Sequence, residues 1–333
     1  MAKPSVVESF IRRGYFGGAT DYYKAYVEKL YYYDINSLYP FVMKNLMPHK
    51  LIGVWTKFNN FNLNQFFGFL EVEVTCPKNI KVPVLPHKYN NTTIYPTGSW
   101  VGVYFSEELK AVAKLGYKFK YIKGYQFSKV YLFNQYIDHF YNIKKISNGA
   151  KKLIAKLQLN TLYGYFGRRQ DLLSTLIVKT SEIAFYLSRH IIKSVIKLNS
   201  ELSILLITNH LPLDTIKQLS MKVEHEFTPQ TFESSVKSNV AIAAAVTSYA
   251  RIHMMQYKLD GTIVYTDTDS IFTTNPLPAH MVGTALGQMK DEMNGLIIDR
   301  AYFLGIKNMG INTLISMVIS SLNQYLQVLK EIA

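Results

Sequence analysis

Three acidic side chains have types and spacing that favour metal-assisted chemistry. Asp267 and Asp269 lie two positions apart, and Asp34 follows a short aromatic segment near the start of the chain. On an extended backbone, residues two apart point to the same face, so both acids could reach one metal pair together with Asp34. Two Mg²⁺ ions held by carboxylates are what nucleotidyl transfer requires. The alternative is a D-x-D turn whose acids only hydrogen-bond their own backbone.

A row of lysines forms a second pattern. Lys144, Lys152, Lys156, Asn160 and Tyr163 are separated by eight, four, four and three residues, steps that keep to one face of a helix. Ammonium groups followed by an amide and an aromatic ring suit a triphosphate followed by a base. A solvated basic face is the alternative explanation.

The composition of the chain favours a polyanionic partner. The 333 residues include 37 Lys and Arg against 23 Asp and Glu, a net charge of +14, and nucleic acid is the polyanion that fits best. A single cysteine, Cys76, excludes an intrachain disulfide and a multi-cysteine metal site. Apolar stretches such as Val240–Val246 fall short of the roughly 20 residues that cross a bilayer, so no membrane partner is expected.

The strands that must position the acids can be predicted from local patterns. Leu30–Asp34 reads as an aromatic strand that ends in a carboxylate, and Phe41–Leu46 beyond it reads as a helix. Gly261–Thr266 and Ser270–Thr274 predict two strands joined by a tight turn that carries the D-x-D pair. Between these regions, Phe67–Phe105 is rich in Val, Tyr, Thr and turn residues, which predicts several more strands.

Helices are predicted in the rest of the chain. Ser106 and the two glutamates after it begin a helix that Gly116 ends. Longer helical regions are predicted at about Phe133–Tyr165, Ser174–Asn199 and the Ala-rich Ser238–Tyr257. These elements together indicate a mixed α and β architecture.

Three motifs in order resemble those of family B DNA polymerases. Residues 34–40 (DINSLYP) look like motif A, D-x-x-S-L-Y-P, and residues 265–270 (YTDTDS) look like motif C, Y-x-D-T-D-S. Residues 156–164 (KLQLNTLYG) resemble motif B, K-x-x-x-N-S-x-Y-G, with Thr161 in place of Ser. A reverse transcriptase would have adjacent acids in motif C, whereas Thr268 separates them here.

Further features resemble the protein-primed branch of that family, found in tailed phages and in linear plasmids of mitochondria. Residues 15–18 (YFGG) resemble the Y-x-G-G motif that joins exonuclease to polymerase in this branch. The interval 34–156 leaves room for its priming-protein insertion, and 168–237 leaves room for a second one. The resemblance, with 25 Tyr and 19 Phe typical of an AT-rich coding sequence, favours a plasmid- or mitochondrial-genome-encoded protein in mitochondria. A phage or cytoplasmic origin is the alternative.

The resemblance implies roles for the matching residues. Asp34, Asp267 and Asp269 would be catalytic and, with the backbone carbonyl of Ile35, would hold two Mg²⁺ ions, or Mn²⁺ in their place. Residues that would bind the incoming dNTP are Tyr39, Lys144, Lys152, Lys156, Asn160 and Tyr163. Residues that would contact DNA primer-template are Tyr15, Gly17, Gly18, Thr268 and Lys307. Tyr39 would lie under the deoxyribose, where a 2′-hydroxyl would clash, so dNTPs would be preferred to rNTPs.

The implied fold is α+β, with an antiparallel palm sheet, helical fingers and a strand-rich insertion. The predicted divisions are the start of the palm with Y-x-G-G and motif A (1–45), an insertion of the priming-protein type (46–132), a fingers helix with motif B (133–166), a second insertion and connection (167–237), the palm with motif C (238–309), and a divergent tail in place of a thumb (310–333). A terminal priming protein is an implied partner of the first insertion.

The chain also departs from the family pattern. Lys307 is not followed two residues later by the expected Tyr, since Met309 stands there, and Gly310–Ala333 does not resemble a thumb. Only Met1–Gly14 precede the Y-x-G-G motif, so no exonuclease domain and no proofreading are expected. Two functions follow as hypotheses: template-directed DNA synthesis, and a catalytically inactive remnant that binds nucleic acid. A basic structural protein would require all three motif matches to be accidental.

Overall fold

A computed structural model describes residues 6–90, 92–168, 174–188, 190–208, 238–259 and 261–312 of the chain. The strands are β1 (Thr20–Tyr22), β2 (Tyr26–Ile35), β3 (Met47–Trp55), β4 (Gly68–Thr75), β5 (His87–Tyr89), β6 (Thr92–Ile94), β7 (Ser99–Phe105), β8 (Lys118–Val130), β9 (Ser174–Lys179), β10 (Ile191–Lys197), β11 (Leu202–Thr208), β12 (Ile263–Asp267), β13 (Ser270–Thr273), β14 (Met289–Asp291), β15 (Ile298–Gly305) and β16 (Asn308–Asn312). The helices are α1 (Val6–Arg13), α2 (Leu38–Met43), α3 (Ser106–Ala113), α4 (Asn134–Ile146), α5 (Gly149–Phe166), α6 (Ile183–Leu187) and α7 (Val240–Lys258).

The central sheet has the strand order β1-β12-β13-β2-β15-β16, and β14 pairs with the end of β2. All of these pairings are antiparallel. One face buries Tyr33, Ile35 and Ile271 against α7, and the opposite face buries Tyr265 and Phe303 in a second core. The long strand β2 therefore lies in the middle of the sheet, with its last residues enclosed on both edges.

Helix α7 is the central helix of the fold. It is apolar on nearly all sides, and most of its residues are buried, as expected for a helix surrounded by other elements. The side chain of Asn239 accepts a hydrogen bond from the backbone N–H of Ile242 and caps the first turn. Helices α1, α2, α3 and α5 all contact α7. Because so many elements share this one helix, it fixes their positions relative to the central sheet.

A second sheet, the side sheet, has the order β3-β8-β4-β7. It packs on α3 through a core that includes Leu70, Val72, Leu109 and Val112. The strands predicted within residues 67–105 are β4, β5, β6 and β7, which confirms that part of the pattern. The predicted α+β fold class is also confirmed.

A buried ion pair joins the side sheet region to the central helix. Arg251 on α7 donates from Nε to Oε1 and from Nη2 to Oε2 of Glu108 on α3, both at 2.7 Å, and the two side chains are 2% and 0% exposed. The Nη1 group of Arg251 also donates to the carbonyl oxygens of Phe16 at 3.1 Å and Gly17 at 2.7 Å. One guanidinium therefore holds α3, α7 and the Y-x-G-G segment together.

We expect Glu108→Gln to lower the free energy of unfolding by about 3–5 kcal/mol, because it leaves the buried Arg251 charge without its counterion. Urea unfolding followed by circular dichroism measures this change. The matched control is Asp138→Asn, which breaks the exposed 2.6 Å pair with Lys44 and should cost less than about 1 kcal/mol. Equal losses of unfolding free energy in the two variants would contradict the larger stabilisation expected from the buried Glu108–Arg251 pair.

One predicted helix is largely replaced by strands. The region Ser174–Asn199 was predicted to be helical, but it contains β9, the short helix α6 and β10, which form a small sheet with β11 in the order β10-β11-β9. Residues such as Ile177, Val178 and Val195 are β-branched and favour a strand when a partner strand is available.

Residues 209–237 of the predicted second insertion and 313–333 of the predicted tail lie outside the described residues.

The predicted helix over Phe133–Tyr165 is divided into two helices, α4 and α5. The break falls at Ser147 and Asn148, and Gly149 begins α5 with a positive φ of 58°, a conformation that glycine adopts at low cost. The predicted helix at Phe41–Leu46 is α2, which begins earlier, at Leu38, and ends at Met43. Among the described residues, no helix has the length and apolar character needed to span a membrane.

Candidate functional site

The three predicted catalytic acids lie at one edge of the central sheet. Asp34 is near the end of β2, where its Cα partners are Ser270 on β13 and Lys290 on β14. Asp267 ends β12, and Asp269 precedes β13. Since β13 lies between β12 and β2, the sheet order places the turn beside Asp34. The backbone N–H of Ile35 donates to the Asp269 carbonyl at 2.8 Å, which ties motif A to motif C.

The turn between the two acids has an unusual backbone conformation. Thr268 has a φ of 59°, a value that is uncommon for a residue other than glycine. Its N–H donates to the Ala19 carbonyl at 2.9 Å, and the Asp269 N–H donates to the Asp267 carbonyl at 2.7 Å. The backbone between Asp267 and Asp269 is therefore a turn and not an extended strand. The prediction that strand alternation points both acids to the same face does not apply to it.

One of the two predicted DNA-binding glycines, Gly18, lies directly against this turn. A Cβ atom placed on Gly18 would be 2.5 Å from Thr268 Cγ2, whereas one placed on Gly17 would meet nothing within 4 Å. Glycine is needed at position 18 because the backbone approaches the turn closely. The structure thus brings the Y-x-G-G segment and motif C together, although they are about 250 positions apart in the sequence.

The acids concentrate negative charge in a partly buried place. Burial raises the pKa of Asp34 to about 7, with further upward contributions from Asp269 and Glu292 and downward ones from Lys290 and then Lys156. The pKa of Asp269 is also raised, first by burial and then by the charge of Asp267. Carboxylates that disfavour one another in this way are stabilised by an added cation, and their oxygen donors suit a hard divalent ion.

Asp267 has protein partners of its own. Its Oδ1 accepts from Thr20 Oγ1 at 2.8 Å, and its Oδ2 lies 3.9 Å from Lys307 Nζ. The backbone N–H of Lys307 donates to the hydroxyl of Tyr265 at 3.0 Å, so the turn between β15 and β16 brings this lysine to the site. In the part of the chain that the structure describes, no three His, Cys, Asp or Glu side chains form a group able to hold a metal ion. The metal ligand set therefore stays a prediction.

The predicted nucleotide-binding lysines converge from two helices rather than one. Lys144 is in the last turn of α4, whereas Lys152 and Lys156 are on α5, beyond the break. Burial lowers the pKa of Lys144, and the charges of Lys156 and Lys152 lower it further. Helices α4 and α5 pack against each other, so these lysines belong to neighbouring elements. The Nζ of Lys144 donates to Ser37 Oγ at 2.8 Å and so reaches motif A.

Aromatic rings join motif A to motif B. The rings of Tyr39 and Tyr163 are stacked with 4.1 Å between centroids and 26° between planes. Tyr15 lies at the C-terminal end of α5, where its hydroxyl oxygen would be 2.4 Å from a Cβ atom placed on Gly167. Asn160 is exposed on α5 and faces solvent. The structure thus brings Tyr39 of motif A and Tyr163 of motif B into contact, whereas Asn160 has no hydrogen bond with motif A in the part of the chain described.

Sequence reasoning did not single out several residues of this site. Thr20, Ser37 and Glu292 all contact or electrostatically affect the acids or the lysine row. Ser37 belongs to the motif A pattern and could have been found from its place there. Thr20 and Glu292 carry no local signal, because they reach the site only through the pairings of β1 and β14.

We expect Asp34→Asn to stabilise the metal-free chain at pH 8 by about 1 kcal/mol, after allowance for solvent screening. The raised pKa means that the folded state binds the Asp34 proton more tightly than the unfolded state does. Stability is therefore lost as pH rises from the unfolded pKa of about 4 through the folded value of about 7. Asparagine cannot ionise and avoids this loss.

Thermal unfolding in EDTA at pH 5 and pH 8 measures the effect of Asp34→Asn. At pH 5 the acid is still protonated in the folded chain and only the first part of the loss has occurred, so the stabilisation by the variant should be about a third of that at pH 8. A stabilisation of the same size at both pH values would contradict the electrostatic origin of the difference.

Comparison with known proteins assigns the family. Residues 2–262 match the family described as DNA polymerase type B, organellar and viral. The chain is 40% identical over 313 residues to a probable DNA polymerase of Podospora anserina, a match that covers 89% of this chain and 25% of that protein. It is 30% identical over 181 residues to the DNA polymerase of Bacillus phage Nf, which covers 48% of this chain and 31% of the phage protein. The chain belongs to the organellar and viral type B DNA polymerases.

The fold is also similar to that of a solved polymerase. Phi29 DNA polymerase complexed with primer-template DNA and incoming nucleotide substrates matches with a TM-score of 0.68 and 22% identity, over 93% of this chain and 51% of that one. The chain spans only 23–39% of the length of its four fungal relatives, all named probable DNA polymerase.

Proposed function

We propose that this chain carries out template-directed DNA synthesis from dNTPs. The observation that carries the proposal is that Asp34, Asp267 and Asp269 lie at the same end of adjacent strands of the central sheet, where Lys144 of α4 reaches motif A through Ser37. A negative cluster opposite a positive one suits a metal-bound triphosphate. Membership of a DNA polymerase family supports the same activity.

The proposed reaction is nucleotidyl transfer, for which two Mg²⁺ ions, or Mn²⁺ in their place, would supply activation of the primer 3′-hydroxyl and neutralisation of the triphosphate. Asp34 and Asp269 would hold the ions, assisted by Asp267 and the backbone carbonyl of Ile35. The stacked rings of Tyr39 and Tyr163 support the proposal that these two residues contact the sugar and the nascent base pair.

The three lysines are proposed to bind the triphosphate as point charges. Lys144 is anchored on Ser37, while Lys152 and Lys156 are exposed on α5 and free to meet a ligand that enters from solvent. Asn160 lies one turn further along the same helix and would contact the nascent pair. Positive charge from these lysines would stabilise the negative charge that develops on the leaving pyrophosphate.

The Y-x-G-G segment and the motif C turn are proposed to hold the primer-template. Gly18 lies against Thr268, Gly17 is exposed, and Tyr15 lies against Gly167. Lys307 lies 3.9 Å from Asp267. The net charge of +14 favours a nucleic acid backbone. Phi29 DNA polymerase is described in complex with primer-template DNA and incoming nucleotide substrates, which supports the same partners here.

The finer biological setting is part of the proposal. The side sheet is the candidate contact for a terminal priming protein, because it occupies the predicted insertion of that type at 46–132. The family description and the fungal relatives favour replication of a linear plasmid-like element in mitochondria. The remaining divisions, with α4 and α5 as fingers and the central sheet as palm, are proposed on the same resemblance.

Primer extension tests the proposed function. The purified chain is incubated with a primed DNA template, Mg²⁺ and labelled dNTPs, and products are compared with and without template. Extension that follows the template sequence is the expected result. Salt-sensitive DNA binding without any extension, in Mg²⁺ and in Mn²⁺, would refute synthesis by this chain and favour the hypothesis of an inactive nucleic-acid-binding remnant.

A further inference from the structure

The C-terminal end of α5 is held by a side chain from α1. Arg12 donates from Nη1 to the Gly167 carbonyl at 3.3 Å and from Nη2 to the Arg168 carbonyl at 2.7 Å. Glu8, one turn earlier on α1, accepts from Arg12 Nε at 2.9 Å and from Nη2 at 2.7 Å. The Arg12 and Glu8 side chains are 20% and 15% exposed. The contact joins two distant parts of the sequence through one guanidinium.

This contact satisfies groups that a helix end leaves without partners. The last carbonyls of a helix have no intrahelical donor, and a cation near them is favoured by the helix dipole. The planar fork of arginine can meet two carbonyls at once while its Nε faces a carboxylate, which a lysine cannot do. Glu8 therefore orients the Arg12 side chain toward the end of α5.

Two further contacts enclose the same helix end. The backbone N–H of Asn239, just before α7, donates to the Phe166 carbonyl at 3.0 Å. The hydroxyl of Tyr15 leaves no space for a side chain at Gly167. The C-terminal end of α5, called its base here, is thus fixed to the segment that continues from α1 to Gly18. Gly18 in turn lies against Thr268 in the motif C turn.

We propose that Arg12 is a positioning residue that sets the angle of α5 and thereby places Lys152 and Lys156 for the incoming nucleotide. The inference rests on the proposed function, since it takes these lysines as triphosphate ligands. Lys152 is 14 residues from Phe166, or about 21 Å along the helix, so a rotation of about 5° at the base moves it by about 2 Å. A displacement of that size is enough to weaken a positioned contact strongly.

Steady-state kinetics with Arg12→Ala test the proposal. We expect KM for dNTPs to rise about 10-fold, with kcat and the Kd for primer-template changed less than about twofold, because the lysines remain but are misplaced. Arg12→Lys should restore part of the loss through one carbonyl contact. Arg13→Ala is the matched control, since Arg13 pairs with Glu71 at 2.6 Å and is 55% exposed. It should leave KM unchanged.

Hydrogen exchange supplies a readout that does not require catalysis. In Arg12→Ala, amides of residues 160–168 should exchange at least about fivefold faster than in the wild type, with the rest of the chain unchanged. If the wild type fails to extend primers, the proposed function fails. Hydrogen exchange still tests whether Arg12 holds the C-terminal end of α5 in place. Exchange and KM like those of Arg13→Ala, or faster exchange throughout the chain, would overturn the positioning role.

Discussion

Asp269→Asn is expected to lower the rate of primer extension by about 10³-fold or more, while the Kd for primer-template stays within about twofold. The side chain keeps its size but loses the charge that the metal ions require. Asp269 stands between Asp34 and Asp267 in the sheet order, and its carbonyl accepts from Ile35 at 2.8 Å. That backbone contact survives the substitution, so the loss should come from the charge alone. Single-turnover extension and a fluorescence anisotropy titration of labelled DNA measure the two quantities.

Asp299→Asn is the matched control for this experiment. Asp299 lies on β15 of the same central sheet, is 34% exposed and lies 3.6 Å from Arg300. It should extend primers like the wild type and unfold at nearly the same temperature. Similar extension rates in Asp269→Asn and Asp299→Asn would contradict a catalytic role for Asp269. Loss of DNA binding in Asp269→Asn would indicate a structural defect instead.

The strands that carry the acids could be predicted because their signals are local. The aromatic run before Asp34 and the apolar run before Asp267 each favour a strand in their own sequence. The Ala-rich region 238–257 likewise predicted a helix, which is α7 in the structure. These predictions needed no knowledge of which strands pair.

The surroundings of the acids could not be predicted in the same way. Thr20 and Glu292 reach the site only because β1 and β14 add to the sheet beside β12 and β2. Lys307 was assigned from a weak motif, yet the β15–β16 turn brings it within 3.9 Å of Asp267. Sheet order depends on contacts between distant segments, so no local pattern contains it.

The lysine row shows how a correct grouping can come from a partly wrong argument. Spacing on a single helix face predicted that Lys144, Lys152 and Lys156 lie together, but a break before Gly149 separates the first from the others. The three charges still affect one another because α4 and α5 pack side by side. In Ser174–Asn199, by contrast, a helix was predicted where β-branched residues pair across strands instead.

Tyr39→Val is expected to reduce discrimination against ribonucleotides by about 100-fold, mainly by raising kcat/KM for rNTPs. The Tyr39 ring is stacked on Tyr163 with 4.1 Å between centroids, and this contact favours one position of the ring. A fixed ring under the sugar excludes a 2′-hydroxyl by steric conflict, whereas valine leaves room for it. Single-nucleotide insertion with dCTP and CTP on the same primer-template measures the ratio.

Tyr39→Phe separates the ring from its hydroxyl in this experiment. Phenylalanine retains the stacking surface against Tyr163, so discrimination should stay within about threefold of the wild type if steric exclusion by the ring is the cause. A large loss in Tyr39→Phe would assign the selectivity to the hydroxyl instead. If Tyr39→Val kept the full preference for dCTP, the sugar would have to be read by another residue, and Tyr39 would be left with the structural role of supporting Tyr163 on α5.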